Sequence, residues 1–564
     1  MHHSGKLSTR IGRLGIALCA SLLALNASGI NVRDFGAVAD DSICDLAAIR
    51  RAVAFARANN VREINFDPGT YDLEVKNPEK EIAIDLNGFE DLVFAGAVNA
   101  DGTPATLLLR KYEFSGNISA RQILRAIKCK HIHLKNFVLD NAPRYTTAGK
   151  VVEKDGDRVI MEIFDGNPAI DGCVFYCGNA WDLKTGSLKK IGSLTFGADV
   201  AANEGAYTLR LLPQTASTAP RRMVLANAKV AAMLDVGDGV SWHFGWEGNQ
   251  LNVTMSEDVR LENIHTYNAM GFCASVSRSK DVFASNLVFK PAGNQLAVGS
   301  RDGLMLSCNR GRVVMDGLHI EGVRWDGQNA HGIFLWTREI MDSRTVVLES
   351  RRGSQNVEIQ PGSSVGFYTA PDEERVLTVR QAVLKKDGAG KYHYQISFEE
   401  ELPPGLDSSM PVCVYAWNMD DYVVKNSRFR NIAGCASLVR NRGVKIENCI
   451  YENIMYPAVM IGPAIQEQEG PVARNIMVKN NRFINCGWQT RHGAVGAVSA
   501  KVQVWKNALA PFMRDLQIEG NYFENCDVAV QVEDAINARV AGNSFNNVKD
   551  KILGKNLRDS MLLE

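Results

Sequence analysis

One short polar motif recurs at matching spacing through most of this chain. An apolar residue, a variable residue and Asn or Gly form a triplet, and a second such triplet begins after two further residues. Several neighbouring copies lie 22 or 23 residues apart. This period is typical of a solenoid, whose units must stack because one unit cannot bury its own apolar face. The first Asn or Gly of each copy is Asn136, Asn263, Asn286, Gly317, Asn426, Asn448, Asn480, Gly520 or Gly542.

Each unit is interpreted as one coil of a right-handed parallel β-helix. Asn and Gly at a corner tolerate the left-handed backbone conformation, and stacked Asn side chains can hydrogen-bond from one coil to the next. A leucine-rich repeat also carries a recurring Asn, but its L-x-x-L-x-L frame is missing and the units here are separated unevenly. The predicted fold class is therefore all-β.

The N-terminus has the layout of a secretory signal. Lys6, Arg10 and Arg13 precede an apolar run at 14–25, and small residues follow near Ala27. The run is too short for a transmembrane helix, and no other apolar stretch reaches about 18 residues. A soluble periplasmic or secreted protein is predicted. The 63 basic and 63 acidic residues balance, which argues against nucleic acid or an anionic membrane as partner.

The twelve cysteines do not have the spacing of a zinc site, and no metal or cofactor is predicted. Cys486 and Cys526 follow the last Asn of their repeats, where a small buried residue is expected. Cys173 and Cys177 lie close enough in the chain to form a disulfide, but nothing in the sequence requires one.

An amphipathic helix is predicted from Asp45 to Asn59. Asp45 is expected to cap it, and Leu46, Ile49 and Val53 share one face that can cover the first coil. The segments around this helix, 31–41 and 61–71, resemble the opening shared by many β-helix glycosidases, lyases and phage tailspikes. That resemblance implies the fold and leaves the reaction open.

Two stretches without the motif, 143–242 and 341–418, contain short alternating strands and are predicted to be inserted β-barrel or sandwich domains. The predicted division is a signal peptide at 1–28, an N-terminal cap with the first coils at 29–142, inserted domain 1 at 143–242, central coils with the active site at 243–340, inserted domain 2 at 341–418, C-terminal coils at 419–550 and a tail at 551–564.

Two aspartates are candidates for chemistry. The segments that begin at Asp302 and His331 are interpreted as equivalent strands on consecutive coils, so these residues should lie one rung apart, about 4.8 Å between backbones. Asp326 lies five residues before His331, at the turn into that strand. Two carboxylates beside a groove are what glycoside hydrolysis requires. Asp527 precedes a strand in the same way and is interpreted as a turn residue, so the position alone does not define catalysis.

The stretches 300–311 and 322–334 resemble the core of glycoside hydrolase family 110, most densely over 255–340. The resemblance implies a β-helix with two inserted β-barrels and exo-acting α-1,3-galactosidase activity with inversion. It assigns Asp302 as general acid and Asp326 as general base, and it places Asn329 and His331 in the sugar site.

The chain departs from the family pattern at two positions. Trp325 stands where the family has the first aspartate of an Asp-Asp pair, and Met305 stands where it has His. Trp325 offers either a sugar-stacking face or simple packing. Arg442 and Glu469 lie where related sequences place sugar-binding groups, although each also fits a solvated turn residue.

The predicted function is an exo-acting glycoside hydrolase that removes terminal α-linked galactose from an oligo- or polysaccharide. The alternatives are another polysaccharide-active β-helix enzyme, a lyase or a hydrolase, and a non-catalytic glycan-binding β-helix. The motif set of pectin-type glycosidases is missing, and no acidic cluster suits the calcium site of a pectate lyase. No oligomeric state is predicted.

Overall fold

The computed structural model describes residues 29–113, 119–214, 216, 219–350, 358–388, 390–406, 411–504 and 511–564. Thirty-eight strands are connected by hydrogen bonds into one assembly. Most of them wind into parallel coils, and five belong to the antiparallel second insertion described below. Strands repeat in register from coil to coil, as when Val259 pairs with Ile132 on one side and Val282 on the other. This arrangement confirms the predicted parallel β-helix. The predicted signal peptide lies outside the described residues.

The strands of the coils fall into three groups along the chain. The N-terminal group is Ile30–Asn31, Glu63–Asn65, Gly69–Glu74, Ile84–Asp85, Glu90–Ala95, Thr106–Lys111, Leu124–Ile127 and Lys130–Ala142. The central group is Asn249–Thr254, Glu257–Thr266, Phe272–Ser277, Lys280–Ser285, Val288–Phe289, Leu304–Ser307, Arg310–Asp316, His319–Glu321 and Gln328–Asp342. The C-terminal group is Met419–Lys425, Arg428–Ile432, Ser437–Arg440, Arg442–Glu447, Ile450–Ile454, Val459–Ile461, Glu469–Gly470, Arg474–Lys479, Arg482–Cys486, Val498–Ala500, Met513–Glu519, Tyr522–Glu524, Val528–Ala541, Ser544–Asn546, Asp550–Arg558 and Met561–Leu562.

The recurring Asn and Gly residues form the corners of the coils. The nine first positions of the motif all adopt left-handed backbone angles, with φ between 51° and 69°. Asn side chains also link successive coils: Asn453 donates to Asn431 at 3.3 Å, and Asn485 donates to Asn453 at 3.1 Å. The predicted role of the motif is therefore confirmed by both its backbone angles and its hydrogen bonds.

The aromatic residues of the late repeats stack inside the coils. Phe429, Tyr451, Phe483, Phe523 and Phe545 have successive ring centroids 4.9–5.6 Å apart and interplanar angles of 4–13°. Each coil places its ring at the same position, so the stack runs along the solenoid axis. Offset stacking of this kind adds to the free energy gained by burying the rings.

A helix at Leu46–Asn59, here α1, packs on the first strands with Leu46, Ile49 and Val53 buried, as predicted. Asp45 does not cap it through its side chain. Its two carboxylate oxygens instead accept from the backbone N–H groups of Val38 and Asp72, so the side chain joins three segments of the N-terminal cap. A short 3₁₀ helix at Val32–Phe35 precedes α1.

The first stretch without the motif forms an antiparallel seven-stranded sheet. The edges of this sheet meet through an isolated bridge between Val174 and Thr208, so the sheet curls almost into a barrel. Its strands are Thr146–Asp155, Arg158–Ile163, Tyr176–Asp182, Ser187–Leu188, Arg210–Leu211, Arg222–Ala226 and Gly239–His243, and its helices are Gly197–Ala202, Glu204–Tyr207 and Ala228–Met233.

The second stretch forms a closed antiparallel barrel of six strands. The barrel closes because its last strand, Pro411–Val414, pairs with the C-terminal half of Gln328–Asp342. The N-terminal half of that same strand belongs to the β-helix. In order around the barrel, the strands are Gln328–Asp342, Thr345–Glu349, Tyr392–Phe398, Glu373–Lys386, Ser364–Ala370 and Pro411–Val414. A 3₁₀ turn at Tyr415–Trp417 returns the chain to the coils.

The polar tail predicted at 551–564 is wrong. Asp550–Arg558 and Met561–Leu562 pair in parallel with the strand Val528–Ala541 and form a further coil. Leu557 and Leu562 are partly buried against the core, which explains why a mostly polar sequence continues the solenoid.

None of the eleven described cysteines forms a disulfide with another described cysteine, and Cys486 and Cys526 are buried between coils. Cys173 and Cys177 are buried separately and form no disulfide. Within the described ranges, no helix is both long enough and apolar enough to cross a membrane.

Candidate active site

Asp302 and Asp326 occupy equivalent positions on successive coils. Leu304 pairs with Gln328 in the strands that follow, and the amide of Gly303 donates to the backbone oxygen of Asp326 at 2.9 Å. The predicted alignment of Asp302 with His331 is wrong, because His331 pairs with Ser307 instead. The two acids thus lie side by side at the start of their strands, with His331 five residues further along.

Asp302 is buried, with 2% of its surface exposed. One of its carboxylate oxygens lies 3.4 Å from the amide nitrogen of Asp326, which donates to it. Burial first, and the negative charge of Asp326 second, raise the pKa of the Asp302 carboxyl well above its usual range. Asp302 is therefore suited to hold a proton at neutral pH.

Asp326 is fully buried but differs in its partners. Its Oδ1 accepts from the amide of Cys435 at 2.8 Å and from Nη1 of Arg491 at 2.6 Å. Its Oδ2 has no hydrogen-bond partner among the described residues. An unpartnered buried carboxylate oxygen is costly, so this atom is a natural acceptor for a bound hydroxyl or water.

Arg491 and Trp325 cover Asp326 together. The Arg491 guanidinium lies 4.6 Å from the ring centroid of Trp325, and the guanidinium of Arg324 lies 5.4 Å from the same ring. Trp325 is half-buried, and its ring makes cation–π interactions with both guanidinium groups. The sequence reasoning missed Arg491, although the residues between Cys486 and Val498 form a long interruption of one coil, which is where an added site residue could be sought.

A row of polar side chains continues from the acids along the outer face of the strands. Asn329 follows Asp326, and its side-chain oxygen is buried without a hydrogen-bond partner in the part of the chain that the structure describes. His331 is next on the same face, and its Nδ1 donates to the backbone oxygen of Gly332 at 2.7 Å. Burial lowers the pKa of His331 to about 4, so its imidazole is neutral under ordinary conditions.

Glu469 joins this row from a separate strand, Glu469–Gly470, that pairs with Gly332 and Ile333. Its carboxylate forms an ion pair with Arg440, and its Oε1 lies 3.9 Å from Nε2 of His331. Arg440 pairs with His331 in register on the next coil. The sequence analysis missed Arg440, although its place at the end of the strand Ser437–Arg440 is the signal that sets it on the site face.

A cavity of about 360 Å³ lies on this face. Phe272, which lines it, occupies the position of Asp302 on the preceding coil, as the bond from the Cys273 amide to the Asp302 oxygen indicates. The cavity therefore runs along the strands that follow the acids, and neither carboxylate is among the residues that line it. The other lining residues are Ser275, Ser277, Met305, Ser307, His331, Glu467, Gln468 and Glu469.

Arg442 does not lie in this row. Its Nη2 donates to both carboxylate oxygens of Glu374 at 2.8 Å, and its guanidinium lies 3.9 Å from the ring centroid of Tyr415. Both partners come from the second insertion and its return to the coils. The prediction that Arg442 binds sugar is therefore corrected: the residue joins the barrel to the β-helix.

The described residues include no group of three or more His, Cys, Asp or Glu side chains that could hold a metal ion. The chemistry that the arrangement offers is a proton-bearing carboxyl next to a carboxylate with one oxygen unoccupied. Buried arginines surround both groups and can stabilise negative charge.

Comparisons with known proteins agree with this fold. The family model described as "Right handed beta helix region" matches residues 412–554. The chain is 23% identical over 536 residues to α-1,3-galactosidase A of Shewanella woodyi, covering 90% of this chain and 83% of that protein. It is 25% identical over 288 residues to α-1,3-galactosidase A of Bacteroides fragilis (strain YCH46), covering 50% of this chain. That alignment spans only 46% of the B. fragilis protein.

Among solved structures, the A-module of Azotobacter vinelandii mannuronan C-5 epimerase AlgE6 aligns with 12% identity and a TM-score of 0.40, covering 95% of this chain and 99% of the module. The predicted resemblance to α-1,3-galactosidases is confirmed by the curated relatives, several of which are named α-1,3-galactosidase A. The chain is thus a right-handed parallel β-helix protein similar to the α-1,3-galactosidases of glycoside hydrolase family 110.

Proposed function

We propose that this protein is an exo-acting glycoside hydrolase that releases terminal α-linked galactose with inversion. The observation that carries the proposal is the placement of Asp302 and Asp326 at the same position on successive coils. Their surroundings differ: Asp302 is buried next to a negative charge, whereas Asp326 is paired with Arg491. Unequal surroundings of two carboxyls are what separates an acid from a base.

In this mechanism, Asp302 donates its proton to the glycosidic oxygen as the bond to the departing sugar breaks. Asp326 accepts a proton through Oδ2 from a water molecule, and the water oxygen bonds to the anomeric carbon from the opposite face. The products are a free sugar of inverted configuration and a shortened glycan. Protons balance because Asp326 gains the one that Asp302 loses.

Substrate reaches the acids only when a covering group moves, since both carboxyls are buried. Arg491 is the natural candidate, because its side chain is 12% exposed whereas that of Asp326 is 0% exposed. Once this face opens, sugar hydroxyls can supply partners for the buried polar atoms that lack them. These atoms are Oδ2 of Asp326, Oδ1 of Asn329, Nε of Arg440 and Nε of Arg491.

The test is release of galactose from an aryl α-galactoside and from an α-1,3-linked galactose oligosaccharide. Asp302→Asn and Asp326→Asn should each lower kcat at least about 100-fold on the oligosaccharide. Asp527→Asn is the matched control, because Asp527 also precedes a strand of the coils but is exposed. Full activity of either active-site variant on the oligosaccharide, whose leaving group needs protonation, removes that residue from the mechanism.

A second candidate function is a non-catalytic glycan-binding β-helix. It is favoured by Trp325, which replaces a carboxylate of the family pattern, and by the burial of both acids. The same assay separates the two functions. Binding of the oligosaccharide by the wild-type protein without any release of galactose supports the binding protein and contradicts the hydrolase.

A further inference from the structure

A second cleft, of about 790 Å³, lies between the central coils and the six-stranded barrel. The barrel side offers mainly apolar and neutral residues, among them Gln360, Pro361 and Leu384. The β-helix side is strongly basic. Its five cationic side chains are Lys128, Lys130, Arg278, Lys280 and Arg310.

The stacking of the coils places these cations in rows. Glu257 pairs in register with Lys130 and Lys280, and Lys280 pairs with Arg310, so one row crosses four coils. Lys128 and Arg278 lie two residues earlier on their coils and start a second row. Because adjacent strands are about 4.8 Å apart, the first row spans roughly 14 Å along the solenoid axis.

Most of this positive charge is not neutralised. Only two carboxylates, Glu257 and Glu358, line the cleft against the five cations. Lys280 forms ion pairs with Glu257 at 3.1 Å and with Asp281 at 3.7 Å. Lys128, Lys130 and Arg310 are exposed and form no ion pair with any residue that the structure describes. Since the whole chain has a formal net charge of zero, this cleft concentrates charge locally.

The cleft is within reach of the candidate active site. The strand Leu304–Ser307 begins two residues after Asp302 and ends at Ser307, which lines the smaller cavity. The next residue, Cys308, lines the basic cleft. Asp302 and Ser307 are five residues apart on an extended chain, a distance of roughly 17 Å. The basic cleft and the smaller cavity therefore border the same strand.

We propose that the basic cleft binds the anionic groups, sulfate esters or carboxylates, of an acidic polysaccharide. Cations that recur from coil to coil suit a polymer with repeating negative charges, although Glu257 occupies one place in the first row, and the largely apolar wall opposite suits its sugar rings. A nucleic acid fits less well, because the two aromatic side chains of the lining, Tyr394 and Trp417, are buried and offer no face on which bases could stack. The inference stands whether or not Asp302 and Asp326 release galactose.

The test is affinity electrophoresis of the full chain in gels that contain dextran sulfate, polygalacturonate or neutral dextran. The wild-type protein should be retarded by at least one anionic polymer and not by dextran. A polymer preference then identifies sulfate or carboxylate as the recognised group. The triple variant Lys128→Gln, Lys130→Gln, Arg310→Gln should bind about tenfold more weakly, because each exposed ion pair contributes up to a few-fold in affinity.

The control removes the same number of charges from the first insertion: Lys150→Gln, Arg158→Gln, Lys184→Gln, all exposed residues. It should bind like the wild type, as should Asp302→Asn, which separates cleft binding from catalysis. Added salt should weaken the wild-type interaction. The proposal is overturned if the cleft variant binds like the wild type, if neither anionic polymer retards the protein, or if a single-stranded oligonucleotide retards it as strongly.

Discussion

At the scale of single residues, the site depends on how differently two like side chains are surrounded. The Asp302 carboxyl accepts one hydrogen bond from a backbone N–H and lies near a negative charge. The Asp326 carboxylate accepts hydrogen bonds from a backbone N–H and from an arginine. Arg491 therefore has two effects: it compensates the buried negative charge of Asp326, and it covers the Asp326 carboxylate. Both effects can be measured separately.

Arg491→Gln should lower the free energy of unfolding by about 3 kcal/mol or more, because it leaves the Asp326 carboxylate buried without its cation. The double variant Arg491→Gln, Asp326→Asn should recover a large part of that loss, since the uncompensated charge is removed as well. Urea unfolding of the four proteins in this cycle measures the coupling. Equal losses in Arg491→Gln and in the double variant would mean that the uncompensated Asp326 charge is not what destabilises Arg491→Gln.

The raised pKa of Asp302 predicts a pH dependence of activity. In the proposed mechanism, Asp302 is an acid only while it holds its proton, so kcat should fall as pH rises through that raised pKa. A profile of kcat against pH should therefore have its descending limb above neutral pH, with little loss at pH values just above the ordinary carboxyl pKa. A descending limb near pH 4 would show that Asp302 is not the group that loses the proton.

The free energy of unfolding should also depend on the protonation of the Asp302 carboxyl. A carboxyl whose pKa is higher in the folded than in the unfolded state stabilises the fold fully below its unfolded pKa, and this contribution is lost as pH rises through the folded pKa. The difference in unfolding free energy between wild type and Asp302→Asn should therefore shift in favour of the variant as pH increases. A constant difference across this range would contradict the burial argument.

At the scale of strands and coils, the stacked core holds the fold together. Phe483 is fully buried in the middle of the aromatic stack, whereas Phe545 lies at its end and is only partly buried. Phe483→Ala should destabilise the protein by about 3–5 kcal/mol, since it leaves a cavity between two coils. Phe545→Ala should cost clearly less. Urea unfolding compares the two, and equal losses would mean that the stack does not carry the stability assigned to it.

The repeats and their corners could be predicted because the left-handed Asn and Gly positions are visible in the sequence as spacing. The register of the strands that carry the site could not be predicted. The strand after Asp326 turns Gln328 and Ala330 inward, opposite Leu304 and Leu306, so its apolar alternation is weak. Gln328 is tolerated inside because it bonds to Tyr422 and Ser437. The predicted alignment instead sets His331 and Gly332 opposite Asp302 and Gly303, which shifts His331 by five residues from its observed partner Ser307.

Arg491 could not be predicted for a different reason. It comes from an interruption of a late coil, 165 residues after Asp326, and no periodic pattern marks it. The final coil was missed because its inward residues, Ile552 and Leu557, are few and only partly buried. Contacts made by irregular segments depend on the whole fold and leave no local signal.

At the scale of the whole molecule, the two insertions border the site from different sides. The first insertion contacts the loop of Arg491, where Nε1 of Trp488 donates to the backbone oxygen of Ile191 at 3.1 Å. The second insertion is fastened to the coils by the bond between Glu374 and Arg442. The barrel thereby holds one wall of the basic cleft.

Glu374→Ala and Arg442→Ala should each destabilise the protein by about 3 kcal/mol, since each leaves a largely buried charge without its partner. The double variant should lose much less than the sum of the two. Neither change should alter KM for an aryl α-galactoside, because Arg442 is bound to Glu374 and not to the site. A large rise of KM in Arg442→Ala alone would return this residue to sugar binding.

In the proposed mechanism, Asp302 supplies the proton to the leaving group and Asp326 activates water. Turnover of aryl α-galactosides with leaving groups of graded acidity distinguishes these two roles. In Asp302→Asn, kcat should approach the wild-type value for the most acidic leaving group, which departs without protonation, and should fall steeply for poor ones. Asp326→Asn should be slow with every leaving group. The same uniform loss in both variants, or no loss in Asp302→Asn with a poor leaving group, would contradict the account.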